Sequence, residues 1–199
     1  MGCYSYSYVG FLLSGDKGEK KMSGSLMSVV NAWKKEEALH ICYLYNTQEY
    51  IETIVTFIVS GIRKNELVLV VENERNMFQI KQEISEQLSD EQLVNVHFIN
   101  NFDFYWSNGD FHPQTIFRYF TELIDPFLKS GTLVRTWANI EWGDVEEVND
   151  KIEELEKIAD NVVQGKNKLS ICAYNARKIP HTWKPILANS HCMIITEKD

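Results

Sequence analysis

The sequence predicts an α/β domain built as a doubly wound, mostly parallel sheet of about six strands with helices on both faces. Three observations lead there. From about His40 onward, short apolar runs alternate with amphipathic stretches, the pattern of strand and helix in succession. The run "ELVLVVE" (66–72) is apolar without alternation, which suits a strand buried on both faces. A chain of 199 residues with 44% hydrophobic content has enough apolar material for one good core.

The elements follow in order. "HICYLY" (40–45) reads as the first strand, and Asn46, with Glu49 at capping-box spacing, opens a helix carrying Ile51, Ile54, Val55 and Ile58 on one face. Gly61 closes it. After the second strand comes a helix with Met77, Ile80, Ile84 and Leu88 in line. "VNVHFIN" (94–100) is the third strand, followed by the longest exit of the chain, "YWSNGDFHPQ" (105–114). There Asn108-Gly109 reads as a turn folding Tyr105 and Trp106 back over the sheet edge. Asp110 caps the helix that starts near Pro113, and His112 is an exposed turn residue. That helix bears Ile116, Phe120, Leu123 and Phe127, and Gly131 ends it.

"TLVRTWANIEW" (132–142) supplies a strand and its exit, and Ile152, Leu155, Ile158, Ala159 and Val162 mark a long acidic helix. "KLSICAY" (168–174) and "HCMIITE" (191–197) are the last two strands, around a short helix near Trp183 to Leu187. Residues 1–37, with five of the ten glycines in the first 24 positions, read as a flexible tail, and 38–199 as the domain. Met22 and Met27 are alternative starts to Met1.

Composition removes several functions. A net charge of -8 and the lack of a Lys/Arg cluster disfavour direct nucleic-acid binding. No stretch is long and apolar enough for a membrane span or a signal-peptide core, so a cytoplasmic protein is expected. The first strand is followed by "NTQEYIET", without the glycines that let a backbone approach pyrophosphate. Two glycine-spaced lookalikes of a phosphate loop also fail. Gly165-Lys166 lacks the upstream glycine and lies in the wrong element order, and Gly10 to Gly15 places Asp16 where lysine belongs.

In a sheet of this kind ligands bind beyond the carboxyl ends of the strands. The exits hold rings and polar groups together: Tyr43 or Tyr45, Phe102, Phe104, Tyr105, Trp106, Phe111, Trp137, Trp142 and Tyr174, beside Asp103, Asp110, Glu141 and Asp144. That mixture suits a small-molecule pocket, and it equally suits rings that cover the sheet. Glu141 is a candidate proton-exchanging carboxylate or the partner of a strand arginine such as Arg135. No nucleophile elbow is present; Cys42 and Cys172, inside apolar strands, read as small buried hydrophobes. His40, Cys42, Cys172, His191 and Cys192 all lie on or beside strands of one sheet. His40 and His191 open theirs while Cys172 closes its own, so convergence on a metal is not expected. No metal and no cofactor are assigned.

The blocks "HICYLYNTQEYIETIVTFIVSGIRKNELVLVVEN", "FYWSNGDFHPQTIF", "LVRTWANIEW", "SICAYN" and "HCMII" together resemble the MEDS domain, the sensory domain of methanogen and methylotroph signalling proteins and of the dichloromethane-responsive regulator. The resemblance spans about residues 38 to 197. It implies a RecA/KaiC-like core that has lost its Walker A loop, and sensing of small hydrocarbon derivatives rather than catalysis. By position it implies ligand-binding roles for His40, Tyr45, Tyr105, Gly109, Phe111, Arg135, Glu141, Trp142, Cys172 and Tyr174, to which Trp106 is added from the aromatic edge. It further implies a small apolar ligand and a separate partner such as a histidine kinase or a transcription regulator, because the segment before His40 is too short and glycine-rich for a helix-turn-helix. The competing readings are a ligand-free interaction module on an ATPase-like fold, and an enzyme using Glu141 with Cys172 or His112.

Overall fold

The computed structural model describes residues 25–34, 37–46, 49–106, 109–142, 145–164 and 168–197. Most of the glycine-rich leader, Asn108, Gly143, Asp144 and the Gly165-Lys166 pair lie outside them. The six strands are β1 (Ala38–Tyr45), β2 (Leu67–Glu72), β3 (Val96–Asn100), β4 (Val134–Asn139), β5 (Lys168–Asn175) and β6 (Met193–Thr196). They form one sheet in the order β3-β2-β4-β5-β1-β6, and every neighbouring pair is parallel.

The helices divide between the two faces. On one lie α1 (Leu26–Ala32), α2 (Tyr50–Ile62) and α3 (Glu74–Ser85), with the short α4 (Asp90–Leu93) after them; on the other lie α5 (Asn101–Trp106), α6 (Pro113–Lys129), α7 (Val145–Val163) and α8 (Trp183–Ser190). The two-residue pleat distributes each strand between two cores. In β1, Ile41, Tyr43 and Tyr45 join the core under α1–α3, while Cys42 joins the core under α5–α8. Covered on both sides, β2 is buried at all six positions, as its unbroken apolar run predicts.

Several local expectations are corrected. Leu26–Ala32, within the stretch read as tail, is a helix whose Leu26 and Val30 are buried in the core. Helix α2 begins at Tyr50 with Glu49 at the N-cap and no side-chain cap bond; Asn46 instead directs its backbone N–H to Glu197 Oε2 at 2.6 Å. The cap of α6 is His112, whose Nδ1 accepts from Thr115 N at 3.4 Å, so Asp110 does not cap it. Residues 101–106, read only as part of the exit from the third strand, form a short helix; Asn100 Oδ1 holds its first turn by accepting from Phe102 N at 2.9 Å. Six residues are too few to show a helical period in sequence.

Gly61 does not end α2, which runs to Ile62; the turn is made by Asn65 in the left-handed region, φ 59°. Gly61 has a steric role instead. A Cβ there would lie 2.6 Å from Arg135 Nε and 2.7 Å from Cδ. Arg135 is fully buried beneath α2, paired with Glu66 and donating from Nη1 to Phe57 O and Ser60 Oγ, both at 2.9 Å. Only a residue without a side chain leaves room for that guanidinium. Gly61→Ala is therefore expected to destabilise the fold by about 1–3 kcal/mol, read as a lower urea midpoint with little change in slope.

Candidate functional site

In an open parallel sheet a crevice forms where adjacent strands send their following helices to opposite faces. Here β2 leads into α3 on one face and its neighbour β4 leads into α7 on the other. The carboxyl ends of β2 and β4 carry the densest polar network of the described residues.

Its buried centre is Glu72, fully enclosed at the end of β2. Oε1 accepts from Asn73 N (2.8 Å), Asn139 Nδ2 (2.6 Å) and Asn76 Nδ2 (3.2 Å), and Oε2 accepts from Tyr50 OH. Tyr50 OH in turn accepts from Trp137 Nε1 at 2.9 Å, and Tyr45 OH donates to Asn139 Oδ1 at 3.0 Å. The Tyr45 and Tyr50 rings lie 4.0 Å apart, closing the exit of β1. Burial pushes the Glu72 carboxyl above its usual range even though its hydrogen bonds pull the other way, and burial likewise raises Tyr50 and Tyr45.

The outer part of the network is half-buried Glu141. Its Oε2 accepts from Asn101 Nδ2 at 2.6 Å and from Asn73 Nδ2 at 3.2 Å, so one carboxylate ties together the exits of β2, β3 and β4. Asn73 does this while its Oδ1 caps α3 by accepting from Asn76 N at 2.9 Å. Arg135 is not the partner of Glu141; it lies on the strand's other end, paired with Glu66.

The predicted site residues divide between the faces. Tyr45 and Arg135 lie under α1–α3, whereas Tyr105, Phe111, Cys172 and Tyr174 belong to the core under α5–α8. On that second face Tyr105 stacks on Phe111 with ring centroids 5.9 Å apart, and Trp106 meets Phe111 edge-on at the same distance. Trp142 lies 4.6 Å from Trp183 and 6.2 Å from Tyr174. Trp106 and Trp142 remain partly exposed, and Phe102, counted among the edge rings, faces solvent. Gly109, at φ 84°, turns the chain after α5 with its N–H on Trp106 O at 2.8 Å.

His40 and Cys172 do converge, contrary to the sequence expectation. Their strands pair in register, Cys42 opposite Cys172, and the His40 ring reaches along its strand to put Nε2 3.3 Å from Cys172 Sγ. His191 stacks beside His40 with centroids 4.0 Å apart, and Glu156 of α7 completes a buried group of four whose ligating atoms lie within 4.8 Å of one another. Burial raises the Cys172 thiol and lowers His191.

Sequence reading missed Glu72, Tyr50 and Glu156 as site residues. Glu156 had a signal: it falls on the apolar stripe of α7 with Ile152, Leu155 and Ala159, four residues after Ile152. Glu72 had a weaker one, an acid closing a wholly apolar strand.

These features define a parallel-sheet α/β domain whose carboxyl edge holds an acid-amide-aromatic network and no glycine-rich phosphate loop. Residues 39–191 match the family described as MEDS, the MEthanogen/methylotroph, DcmR Sensory domain, and the chain belongs to that family of sensory domains. A solved structure from Pyrococcus horikoshii OT3, described as a structural study of a project target, shares the fold with TM-score 0.53, covering 87% of each chain at 12% identity. No curated protein matches the chain.

Glu72 sets a pH dependence. With its folded carboxyl raised, the native state retains a proton that the unfolded chain has released, so its contribution to stability falls as pH rises above the usual carboxylate range. Glu156 has the same sign. Glu72→Gln, which mimics the protonated acid, is expected to reduce the fall of urea midpoint between mildly acidic and neutral pH; an unchanged slope would contradict the assignment.

Proposed function

We propose that this domain senses a small, largely apolar organic molecule of hydrocarbon-derivative type in the crevice between β2 and β4, and that it acts as a sensor without catalysing a reaction. The observation that carries this reading is half-buried Glu141, bonded to Asn73 and Asn101 and followed in the chain by the partly exposed Trp142. An apolar wall with a few convergent polar groups suits a small molecule, its body against Trp142 and Trp106 and one polar end on the amides or carboxylate.

The exit of β1 supports a core of RecA/KaiC type that has given up nucleotide. The Tyr45–Tyr50 pair closes the exit of the first strand, where a phosphate loop would otherwise follow, with rings in place of a backbone that a phosphate could approach. The non-catalytic reading is supported by the chemistry of the proposed nucleophile and base. Burial keeps the Cys172 thiol protonated, and His112 is an exposed helix cap. Occupancy of the crevice would shift the exits of β3 and β4, which Glu141 joins, and a cytoplasmic partner in trans, a histidine kinase or a transcription regulator, would read that shift. No described helix is long and apolar enough to cross a membrane.

Titration of the purified chain with dichloromethane, followed by tryptophan fluorescence, tests the reading. A saturable change is expected in the wild type and in Phe78→Ala, whose ring is exposed on α3, and its loss is expected in Trp142→Ala with the circular dichroism spectrum preserved. An equal response in Trp142→Ala would refute this crevice as the site. No response from the wild type to dichloromethane or to other short alkyl halides would favour the ligand-free interaction module.

A further inference from the structure

The second polar cluster lies in the core under α5–α8, and its chemistry is that of a metal site. His40 comes from β1, Cys172 from β5, Glu156 from α7 and His191 from the corner between α8 and β6; all four are buried. The tautomers follow from the hydrogen bonds. His40 Nδ1 faces Ser190 O at 3.0 Å and His191 Nδ1 faces Leu187 O at 2.9 Å; since a carbonyl only accepts, each Nδ1 carries the hydrogen. In the neutral rings both Nε2 atoms then present lone pairs to the interior of the cluster.

One of those lone pairs meets another acceptor. His191 Nε2 lies 3.2 Å from Glu156 Oε2, and neither atom has a hydrogen-bond partner, although both side chains are buried. Glu156 Oε1 is already occupied by Tyr174 OH, and His40 Nε2 faces Cys172 Sγ. Two buried lone pairs aimed at each other require a cation between or beside them, a proton or a metal ion.

We propose that His40 Nε2, His191 Nε2, Cys172 Sγ and Glu156 Oε2 bind one divalent transition cation, with zinc the best chemical match. Two imidazoles, a thiolate and a carboxylate form a borderline donor set suited to zinc and unsuited to calcium or magnesium. Tetrahedral zinc, with Zn–N about 2.0–2.1 Å and Zn–S about 2.3 Å, sets its ligand atoms roughly 3.3–3.8 Å apart. The pairs at 3.2 and 3.3 Å are close to that spacing, and all four atoms already lie within 4.8 Å. Binding transfers the Cys172 proton, and that of Glu156 where it is protonated, to solvent. Thiolate and carboxylate then cancel the charge of the ion, leaving a neutral centre in the core.

The surroundings match a supported metal site. Both imidazoles are oriented through Nδ1 by backbone carbonyls, with Asp160 Oδ1 also 3.5 Å from His40 Nδ1, and the carboxylate is oriented by Tyr174. Tyr174 also lies against Trp142, so the cluster adjoins the aromatic wall of the crevice. The metal site does not depend on the sensing role: either can fail alone.

The test uses the full chain purified from zinc-supplemented cells, with metal content measured by plasma mass spectrometry, followed by removal of the metal and titration with Co(II). About one ion per chain is expected, together with a thiolate-to-cobalt charge-transfer band and the visible bands of a tetrahedral centre. Cys172→Ser should lose the charge-transfer band, His191→Ala should lose the ion, and Cys42→Ala, whose buried thiol lies outside the four, should keep both. Tyr174→Phe, which preserves the ring, should weaken binding about 10–100-fold. A folded wild-type chain that carries far less than one ion and shows no thiolate band with Co(II) overturns the proposal and leaves a proton shared by Glu156 and His191. So does a Cys172→Ser variant whose band is unchanged.

Discussion

The constraint on which the rest of the structure depends is that the central strands of this sheet have no wet face. Six parallel strands are covered by α1–α3 on one side and α5–α8 on the other, so any polar side chain that points off a central strand points into a core. A buried charge without a partner costs several kcal/mol. Arg135 accordingly meets Glu66, Phe57 O and Ser60; Glu72 gathers Tyr50, Asn139, Asn73 and Asn76; Glu156 meets Tyr174 and faces His191.

That constraint also divides the chemistry in two. The pleat sends His40 and Tyr45 of one strand to opposite cores, so residues close in sequence serve different clusters. The Glu72 network occupies the carboxyl edge, where two strands part to opposite faces. The His40–Glu156–Cys172–His191 cluster lies in the other core, and Tyr174, bonded to Glu156 and packed near Trp142, connects it to the aromatic wall.

Much of the architecture was legible in the sequence. Four of the six strands fall within the runs read as strands, and β1 and β5 overrun theirs by two residues and by one, because central strands covered on both faces are largely apolar. The long helices were legible from their apolar stripes. Elements too short to display a period, α4 and α5, were not, nor were the caps: Asn46 has the right chemistry and spacing, yet Glu197 draws its backbone elsewhere. Capping is decided by which partner a fold brings within reach.

The sequence by itself determined the layered α/β design, the absence of a glycine-rich phosphate motif and the family, since these depend on apolar periodicity, on glycines at fixed spacing and on ordered blocks of residues. The tertiary structure alone decided which polar groups meet. Arg135 and Glu141 are six residues apart and share no bond, while His40 and Cys172, 132 positions apart, touch. Parallel crossovers bring distant strands side by side in register, and the partners of a buried side chain are set by that register and by the helices laid over it, neither of which local spacing encodes.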